Sequence, residues 1–257
     1  MVLEFIPCAG FANRLRALVS AMCAAEDIKA HLHVLWTIEP YIHVSQFRTL
    51  FNTESLPSWV KVEEAIVAPH TGWKDIREIL THDEWDFWLN RMGSKRPIRI
   101  KSHAHFYRSD QDRWLRHLRS LKPNAVIETK KNIILHSIPD SKTIVGVHIR
   151  RGDHKKSIEE SPSELFWEIM RSYDESVMFY LATDSIEERN EATRQFPNRI
   201  MVGSAILERN DQHGAMNAMI DFVCLSSCSE IIGSYYSSFS EMAAMYGGVP
   251  LRIVKKI

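Results

Sequence analysis

The sequence predicts an α/β protein built from parallel sheets with helices packed against them. Through the second half of the chain, short apolar runs of strand length alternate with helical segments. Residues 143–150 (TIVGVHIR) and 177–183 (VMFYLAT) are two such runs, and residues 214–227 carry apolar side chains at helical spacing. Because strands separated by helices of about 10–15 residues pair in parallel, this order favours a parallel sheet.

The helices of the second half are predicted from their capping residues. A serine before a helix, followed three residues later by glutamate, satisfies amides of the first turn. The three signals are Ser161 with Pro162 and Glu164, Ser185 with Glu188, and Ser238 with Glu241. The helices that follow are expected to end near Tyr173, before Pro197 and at Gly247-Gly248. Short strands are expected at residues 199–203, 230–234 and 250–254.

The first half begins with the same alternation. Residues 2–7 predict a strand, 9–12 a tight loop, 13–30 a helix and 31–36 a second strand. The pattern then becomes irregular and rich in tryptophan. A chain of 257 residues is long enough for two modest domains. We place the boundary near Pro139-Asp140-Ser141, which predicts domains of residues 1–139 and 140–257.

Composition excludes several classes of protein. The 32 Lys+Arg balance 32 Asp+Glu, which argues against a nucleic-acid coat or a polybasic membrane binder. The cysteines lack the spacing of a disulfide framework and are expected to be reduced thiols; they are Cys8, Cys23, Cys224 and Cys228. The amino-terminal MVLEFIPCAGFANR does not have the pattern of a signal peptide, and no apolar run reaches the about 18 residues of a membrane helix. The expected location is the cytoplasm.

The octapeptide GVHIRRGD, residues 146–153, is the most informative motif. Because side chains alternate along a strand, His148 and Arg150 lie on one face and Arg151 lies on the other. Gly152 permits close approach of the backbone, and Asp153 can hold an arginine or the loop in place. The planar fork of arginine donates two hydrogen bonds to phosphate oxygens and keeps its charge when desolvated. The motif therefore predicts a diphosphate site, with a surface salt-bridge cluster as the alternative.

Three further positions carry candidate ligand groups. Ser237-Ser238 follow a strand and begin a helix, whose amino terminus attracts anions; the alternative is that Ser238 only caps its helix. Asp184 ends a strand at the same edge as the arginines, with helix capping as its alternative. Asp221 lies within the apolar stretch MIDFVCL. A carboxylate there can accept from a guanine base or from an arginine, and the alternative is a buried ion pair.

No metal site is expected. Asp110-Gln111-Asp112 has the D-x-D pattern of metal-dependent glycosyltransferases, but it opens a helix and follows no buried strand, so capping is favoured. His103 with His105 and His31 with His33 have strand spacing and no third ligand nearby. The sequence also lacks the glycine-rich patterns of dinucleotide-binding folds and of P-loop ATPases.

Three blocks of the second half resemble the superfamily of α1,2-, α1,6- and protein-O-fucosyltransferases. They are HIRRGD, which fits the H-x-R-x-G-D signature, FYLATDSIEERNEATRQFP, and IDFVCLSSCSEIIGSYYSSFSEMAAMYG. The blocks cover roughly residues 143–248 in the order of the family, whereas residues 37–140 give no match. The resemblance implies a GT-B fold, in which two Rossmann-like domains face a cleft. It also implies inverting transfer of fucose from GDP-fucose to a hydroxyl of a glycan or protein, with no metal and no cofactor.

The resemblance implies roles for individual residues. Arg150 is expected to bind the β-phosphate and to act in catalysis, His148 and Asp221 to lie at the guanine, and Ser237 or Ser238 to contact phosphate. The amino-terminal GFANRLRAL loosely resembles the glycine-rich loop of the same enzymes. The remaining candidates for donor binding are Arg151, Asp184, Gly10, Asn13 and Arg14.

The catalytic base is left open by the resemblance. Some relatives place a glutamate ten residues after the motif histidine, where this chain has Ile158, so Glu159 or the adjacent Glu160 requires that a one-residue shift be assumed. The alternative is that both are solvated glutamates before the Ser161 cap. Asp153 is a third candidate, and other relatives have no obvious base. Two alternatives to fucose transfer also remain: a GT-B transferase that uses another nucleotide sugar, and a sugar-nucleotide-binding module without catalysis.

Overall fold

A computed structural model gives the fold of the chain. It describes residues 1–38, 46–66, 73–76, 85, 98–107, 110–138, 142–152, 154–203 and 212–256. These residues form two compact units, the first from Met1 to Asn124 and the second comprising nearly all described residues from Ala125 onward.

The first unit is built on a five-stranded parallel sheet in the order β3-β2-β1-β5-β4. Its strands are β1 Val2–Pro7, β2 His31–Thr37, β3 Val60–Ala65, β4 Lys74–Asp75 and β5 Ile98–Ser102. Its helices are α1 Phe11–Asp27, α2 Phe47–Leu50 and α3 Gln111–Ser120, with a 3₁₀ turn at Thr53–Ser55. Most of α1 is buried. The predicted strand–helix–strand start of the chain is confirmed.

Helix α1 begins and ends earlier than the sequence predicts. Gly10 has extended backbone and is the N-cap, and its carbonyl accepts from the Arg14 amide at 3.0 Å. The helix ends at Asp27 because Lys29 adopts a positive φ of 52°, which turns the chain toward β2. The predicted limits of residues 13 and 30 were therefore wrong by two and three residues.

The second unit has a five-stranded parallel sheet in the order β10-β9-β6-β7-β8. Its strands are β6 Ile144–Ile149, β7 Met178–Thr183, β8 Ile200–Val202, β9 Ile231–Ser234 and β10 Leu251–Val254. Its helices are α4 Ala125–Leu135, α5 Lys155–Glu160, α6 Ser163–Arg171, α7 Ile186–Gln195, α8 Gln212–Leu225 and α9 Ser238–Gly247. The chain starts at the central β6, builds outward to β8 and then returns to β9 on the other side. Ligands of such sheets bind beyond the carboxyl ends of the strands at this switch point, between β6 and β9.

The two faces of this sheet have different partners. Val145, Val147 and Ile149 join an apolar cluster that includes Phe166 and Trp167 of α6. The intervening Gly146 and His148 point to the opposite face, where Leu225 of α8 and Phe239 of α9 lie against them. Strand alternation thus places His148 on the face covered by α8 and α9.

Two of the three predicted caps differ from the structure. Ser185 does cap α7, since its hydroxyl accepts from the Glu188 amide at 3.2 Å. Helix α6 instead has Pro162 as its N-cap, because the Ser161 hydroxyl donates to the carbonyl of Val254 at 2.6 Å. Helix α9 has Ser237, not Ser238, at the N-cap position.

The division between the units lies before α4, fifteen residues ahead of the predicted boundary. Helix α4 groups with the second unit. Nζ of Lys130 in α4 lies 3.9 Å from the sulfur of Met216 in α8, so α4 contacts a helix of the second unit. The predicted boundary at residues 139–141 itself falls outside the described residues.

Gly247 gives the fold a sharp test. A β-carbon at Gly247 would lie 1.9 Å from the carbonyl oxygen of Ser226, and backbone cannot move aside as a flexible side chain can. We expect Gly247→Ala to lower the free energy of unfolding by about 2–3 kcal/mol in urea denaturation. Gly10→Ala is the control, since nothing lies within 4 Å of its β-carbon and its φ is −68°; its loss should stay below about 1 kcal/mol. Equal losses in both variants would contradict the packing described for Gly247.

The described part of the chain has no helix that is both long and apolar enough to cross a membrane.

Candidate functional site

The predicted site residues of the second unit meet at the carboxyl ends of β6, β7 and β9. His148 of β6 pairs in register with Ala182 of β7 and with Gly233 of β9. Arg150, Asp184 and Ser237 follow these three strands within a few residues. The sheet thus brings together a histidine, an arginine, a carboxylate and a helix amino terminus at its switch point.

Asp184 contacts both arginines of the motif, one through each carboxylate oxygen. One carboxylate oxygen accepts from Nη1 of Arg150 at 2.6 Å, and the other accepts from the backbone amide of Arg151 at 2.7 Å. The Arg150 amide also donates to the hydroxyl of Ser234 at 2.9 Å. The Arg150 side chain remains 22% exposed and that of Asp184 only 9%. Asp184 therefore orients the arginine, and the capping alternative is wrong because Ser185 caps the helix.

Arg151 points away from Arg150, as strand alternation predicts. Its Nε donates to Glu188 at 2.7 Å, and Nη2 donates to the hydroxyl of Ser163 at 2.8 Å. Its Nη1 donates to the carbonyl of Arg150 at 2.9 Å. The bonds to Glu188 and Ser163 tie the strand end to α7 and α6, so the geometry favours a supporting role for Arg151. Direct contact of Arg151 with a ligand stays a prediction.

His148 is buried and neutral. Its ring centroid lies 5.0 Å from that of Phe239, and its Nδ1 has no hydrogen-bond partner among the described residues. Burial, followed by the positive charge of Arg150, lowers the pKa of His148 to about 3. A neutral imidazole with an unused buried nitrogen is suited to one hydrogen bond with an uncharged polar group.

Asp221 lies on α8 against a tyrosine of the sheet. The hydroxyl of Tyr180 donates to Oδ1 of Asp221 at 2.6 Å. A β-carbon on Gly203 would lie 2.3 Å from the Tyr180 hydroxyl and 2.6 Å from the same carboxylate oxygen. Burial raises the pKa of Asp221 to about 6, although the Tyr180 bond and the charge of Arg189 act in the opposite direction. The carboxyl group is oriented by Tyr180 through Oδ1, so its bonded partner within the sheet is a tyrosine hydroxyl. Contact with guanine stays a prediction.

Tyr180 was missed by the sequence analysis. It lies two residues before Ala182 on the same strand, so it shares the face of the sheet that carries His148. A polar tyrosine inside an apolar strand signals that its hydroxyl needs a partner. The sequence does not reveal that the partner is Asp221, 41 residues further along.

Ser237 begins α9 with its hydroxyl unused for capping. It is 6% exposed, has extended backbone and makes no side-chain bond to the first turn. Its carbonyl accepts from the Ser240 hydroxyl at 3.3 Å, and Ser238 is the first helical residue. The first amides of a helix and its dipole favour a negative group at such a position.

The candidate bases have different positions. Glu159 is exposed and Glu160 partly buried, and both lie in the last turn of α5, a helix that the sequence analysis did not predict. His154 caps this helix by accepting from the Ser157 amide at 3.3 Å. Asp153 lies outside the described residues. The choice among these bases stays a prediction.

The candidates of the first unit differ in exposure. Arg14 is fully buried, and its guanidinium donates to the carbonyls of Ala9 and Thr37 at 2.9 and 2.8 Å. It also lies 5.3 Å from the ring centroid of Trp36. The side-chain oxygen of Asn13 is buried and has no hydrogen-bond partner among the described residues. The Asn13 oxygen is thus better placed than the Arg14 guanidinium to form a new hydrogen bond with a ligand. Ligand contacts of Gly10, Asn13 and Arg14 stay predictions.

The D-x-D pattern is a helix cap. The carboxylate of Asp110 accepts from the amides of Asp112 and Arg113 at 3.1 and 3.0 Å, which starts α3. Within the ranges that the structure describes, no three histidine, cysteine, aspartate or glutamate side chains are grouped so as to hold a metal ion.

Comparison with known proteins gives structural matches only. No protein-family model matches the sequence, and no curated protein matches it significantly. The structure is similar to NodZ α-1,6-fucosyltransferase of Bradyrhizobium soaked with GDP-fucose, with a TM-score of 0.65, 18% identity and coverage of 98% of this chain and 94% of that one. It is similar to POFUT1 in complex with GDP, with a TM-score of 0.64, 12% identity and 98% coverage of both chains.

A plant protein has the same architecture. The R284K mutant of Arabidopsis thaliana FUT1 in complex with GDP matches with a TM-score of 0.63 and 13% identity, over 98% of this chain and 69% of that one. The predicted GT-B fold is therefore confirmed: the chain shares the fold of these fucosyltransferases, as its three sequence blocks predict.

Proposed function

We propose that this protein is a fucosyltransferase that moves fucose from GDP-fucose to an acceptor hydroxyl with inversion and without a metal ion. The observation that carries the proposal is the position of Arg150 at the switch point, held by Asp184 and close in the sheet to the start of α9. The shared fold with proteins solved with GDP or GDP-fucose supports the choice of donor.

The chemistry needs positive charge where the leaving group forms. The acceptor oxygen attacks C1 of fucose, the bond from C1 to the β-phosphate oxygen breaks, and GDP leaves with the bonding electrons. Negative charge therefore grows on the β-phosphate, while the sugar develops oxocarbenium character. A guanidinium oriented in advance, together with the amides of a helix start, stabilises that charge more in the transition state than in the ground state. The acceptor proton passes to a base, for which Glu159, Glu160 and Asp153 are the candidates.

The base of the donor is proposed to lie between His148 and Asp221. The Asp221 carboxylate accepts from N1–H and the exocyclic amine of guanine, and the neutral His148 offers one further hydrogen bond. The bond from Tyr180 to Oδ1 fixes the orientation of the whole carboxylate, and therefore also the direction in which Oδ2 points. Guanine offers two N–H donors to this carboxylate. A base that lacks one of the two donors would leave a carboxylate lone pair without a partner and would bind more weakly.

A panel of sugar nucleotides tests the proposal. Purified protein is incubated with GDP-fucose, GDP-mannose, UDP-glucose and a mixed set of acceptor glycans and peptides in EDTA, and release of free nucleotide is measured. We expect release from GDP-fucose alone, and only with an acceptor present. Release from another donor would replace fucose as the sugar. Tight GDP binding without consumption of any donor would favour the non-catalytic module.

A further inference from the structure

Beyond the donor site, one surface of the second unit combines aromatic rings with lysines. We name it the lysine–tyrosine surface and define it by Tyr235, Tyr236, Lys156 and Lys255. The two tyrosines form the turn after β9, Lys156 lies on α5, and Lys255 follows β10. All three segments lie at the carboxyl edge of the sheet, and Tyr236 directly precedes Ser237 at the start of α9.

The tyrosine rings form a corner. Their centroids are 4.6 Å apart and their planes are at 83°. Tyr236 is 53% exposed, and its backbone has a positive φ of 60°, which residues with side chains rarely adopt. The chain thus holds a large ring outward in a conformation that glycine would adopt more easily. Such outliers occur preferentially at functional sites.

Buried serines fix this corner. The Ser157 hydroxyl donates to the carbonyl of Tyr235 at 2.7 Å, and the Tyr235 amide donates to the Ser161 hydroxyl at 2.9 Å. Both serines are fully buried. The Lys256 amide donates to the Glu160 carbonyl at 2.8 Å, which ties the segment after β10 to the same helix. The surface is therefore ordered before any ligand arrives.

The lysines give the surface positive charge. Lys156 Nζ lies 4.6 Å from the ring centroid of Tyr236, and Lys255 Nζ lies 4.4 Å from that of Tyr235. Lys155 and Lys256 are exposed beside them. Within the described residues, these four lysines form no ion pair with a carboxylate. Lysine is flexible and can turn from a ring to an anionic group on a ligand.

We infer that the lysine–tyrosine surface binds an oligosaccharide that carries carboxylate or sulfate groups. Tyrosine rings pack on the C–H faces of a pyranose, and lysines pair with its anionic substituents. The perpendicular rings form a corner that suits a sugar ring better than the broad face of a lipid bilayer. The assignment of this saccharide as the acceptor rests on the proposed function, because the surface adjoins the start of α9. Binding itself does not depend on that function.

Calorimetric titration tests the inference. The probes are a heparin-derived tetrasaccharide, neutral cellotetraose, and vesicles of phosphatidylcholine with phosphatidylserine. We expect the wild-type protein to bind the heparin tetrasaccharide at least tenfold more tightly than cellotetraose, with affinity that falls as salt rises. The double variant Lys156→Gln/Lys255→Gln should lose at least tenfold in this affinity. Lys61→Gln/Lys122→Gln removes the same charge from exposed lysines of the first unit and should lose less than twofold.

Tyr236→Gly separates binding from stability. It removes the ring and relieves the positive φ, so we expect weaker tetrasaccharide binding with a Tm no lower than that of the wild type.

GDP binding is measured in every variant and should not change, which separates this inference from the donor site. Equal losses in the two lysine pairs, equal affinity for both saccharides, or binding to the vesicles alone would overturn it. Failure of wild-type protein to turn over GDP-fucose would overturn the proposed function and leave the saccharide affinities as the test of this surface.

Discussion

Replacing Arg150 with alanine should reduce kcat for fucose transfer by about 1,000-fold or more. Removing one neutral hydrogen-bond donor from a developing negative charge lowers kcat by about 10²–10³. Removing an arginine that acts on a leaving phosphate lowers kcat by more. The affinity for GDP should fall much less, by about tenfold, because the helix start and the base pocket still bind the nucleotide. Steady-state kinetics in EDTA and GDP titration measure the two effects separately.

Neighbouring substitutions supply the controls for Arg150. Arg150→Lys keeps the charge without the two-pronged fork and should fall between wild type and Arg150→Ala. Arg151→Ala should instead act on stability, because it leaves the largely buried Glu188, with a side chain 12% exposed, without its cation. Turnover of Arg150→Ala at the wild-type rate would show that the arginine has no role at the leaving group.

Replacing Asp221 with asparagine should weaken GDP binding by about 100-fold while making the protein more stable at high pH. The amide still accepts the bond from Tyr180, but it presents donors where guanine also donates. Inosine diphosphate lacks the exocyclic amine, so the wild type should prefer GDP over it by about tenfold or more, and Asp221→Asn should lose this preference. Competition titrations with the two nucleotides measure the ratio.

The stability change follows from the pKa of Asp221. Its pKa in the folded protein, about 6, lies above its ordinary value of 3.8. Between these values the folded state keeps a proton that the unfolded state has lost, so stability falls as pH rises through this window. Above pH 6 the ionised carboxylate costs up to about 3 kcal/mol, which asparagine removes. Asp221→Asn should therefore unfold at clearly higher urea concentration than wild type at pH 8, and the difference should become small near pH 4.

A surface aspartate is the matched control for Asp221. The Ser176 hydroxyl and amide donate to Asp174 and lower its pKa. Asp174→Asn should therefore bring no gain in stability at pH 8 and no change in GDP affinity. A gain of equal size in Asp174→Asn would contradict the assignment of the effect to burial of Asp221.

The sequence predicts the parts of the site that depend on local pattern. Strand alternation separates Arg150 from Arg151, and the capping box of α7 is correct at Ser185. The helix–strand order places the arginine and Asp184 at one edge, because parallel strands end together.

Contacts between distant segments are beyond such patterns. The bonds from Tyr180 to Asp221 and from Arg151 to Glu188 join residues 41 and 37 positions apart and depend on register and helix packing. Ser161 resembles a cap in sequence, yet its hydroxyl bonds to Val254, 93 residues away. A tertiary partner at that distance overrides the local signal.

The pairing of Arg150 with Asp184 has a consequence for selectivity against inorganic ions. A lone guanidinium at a helix start would collect free phosphate or sulfate from its surroundings. One that is paired with its own carboxylate attracts such small ions less strongly, while its remaining N–H groups can still donate to a phosphate that other contacts hold in place. Only a ligand that gains additional contacts elsewhere, as a nucleotide does through its base, can then occupy the pocket at the low concentrations at which metabolites circulate.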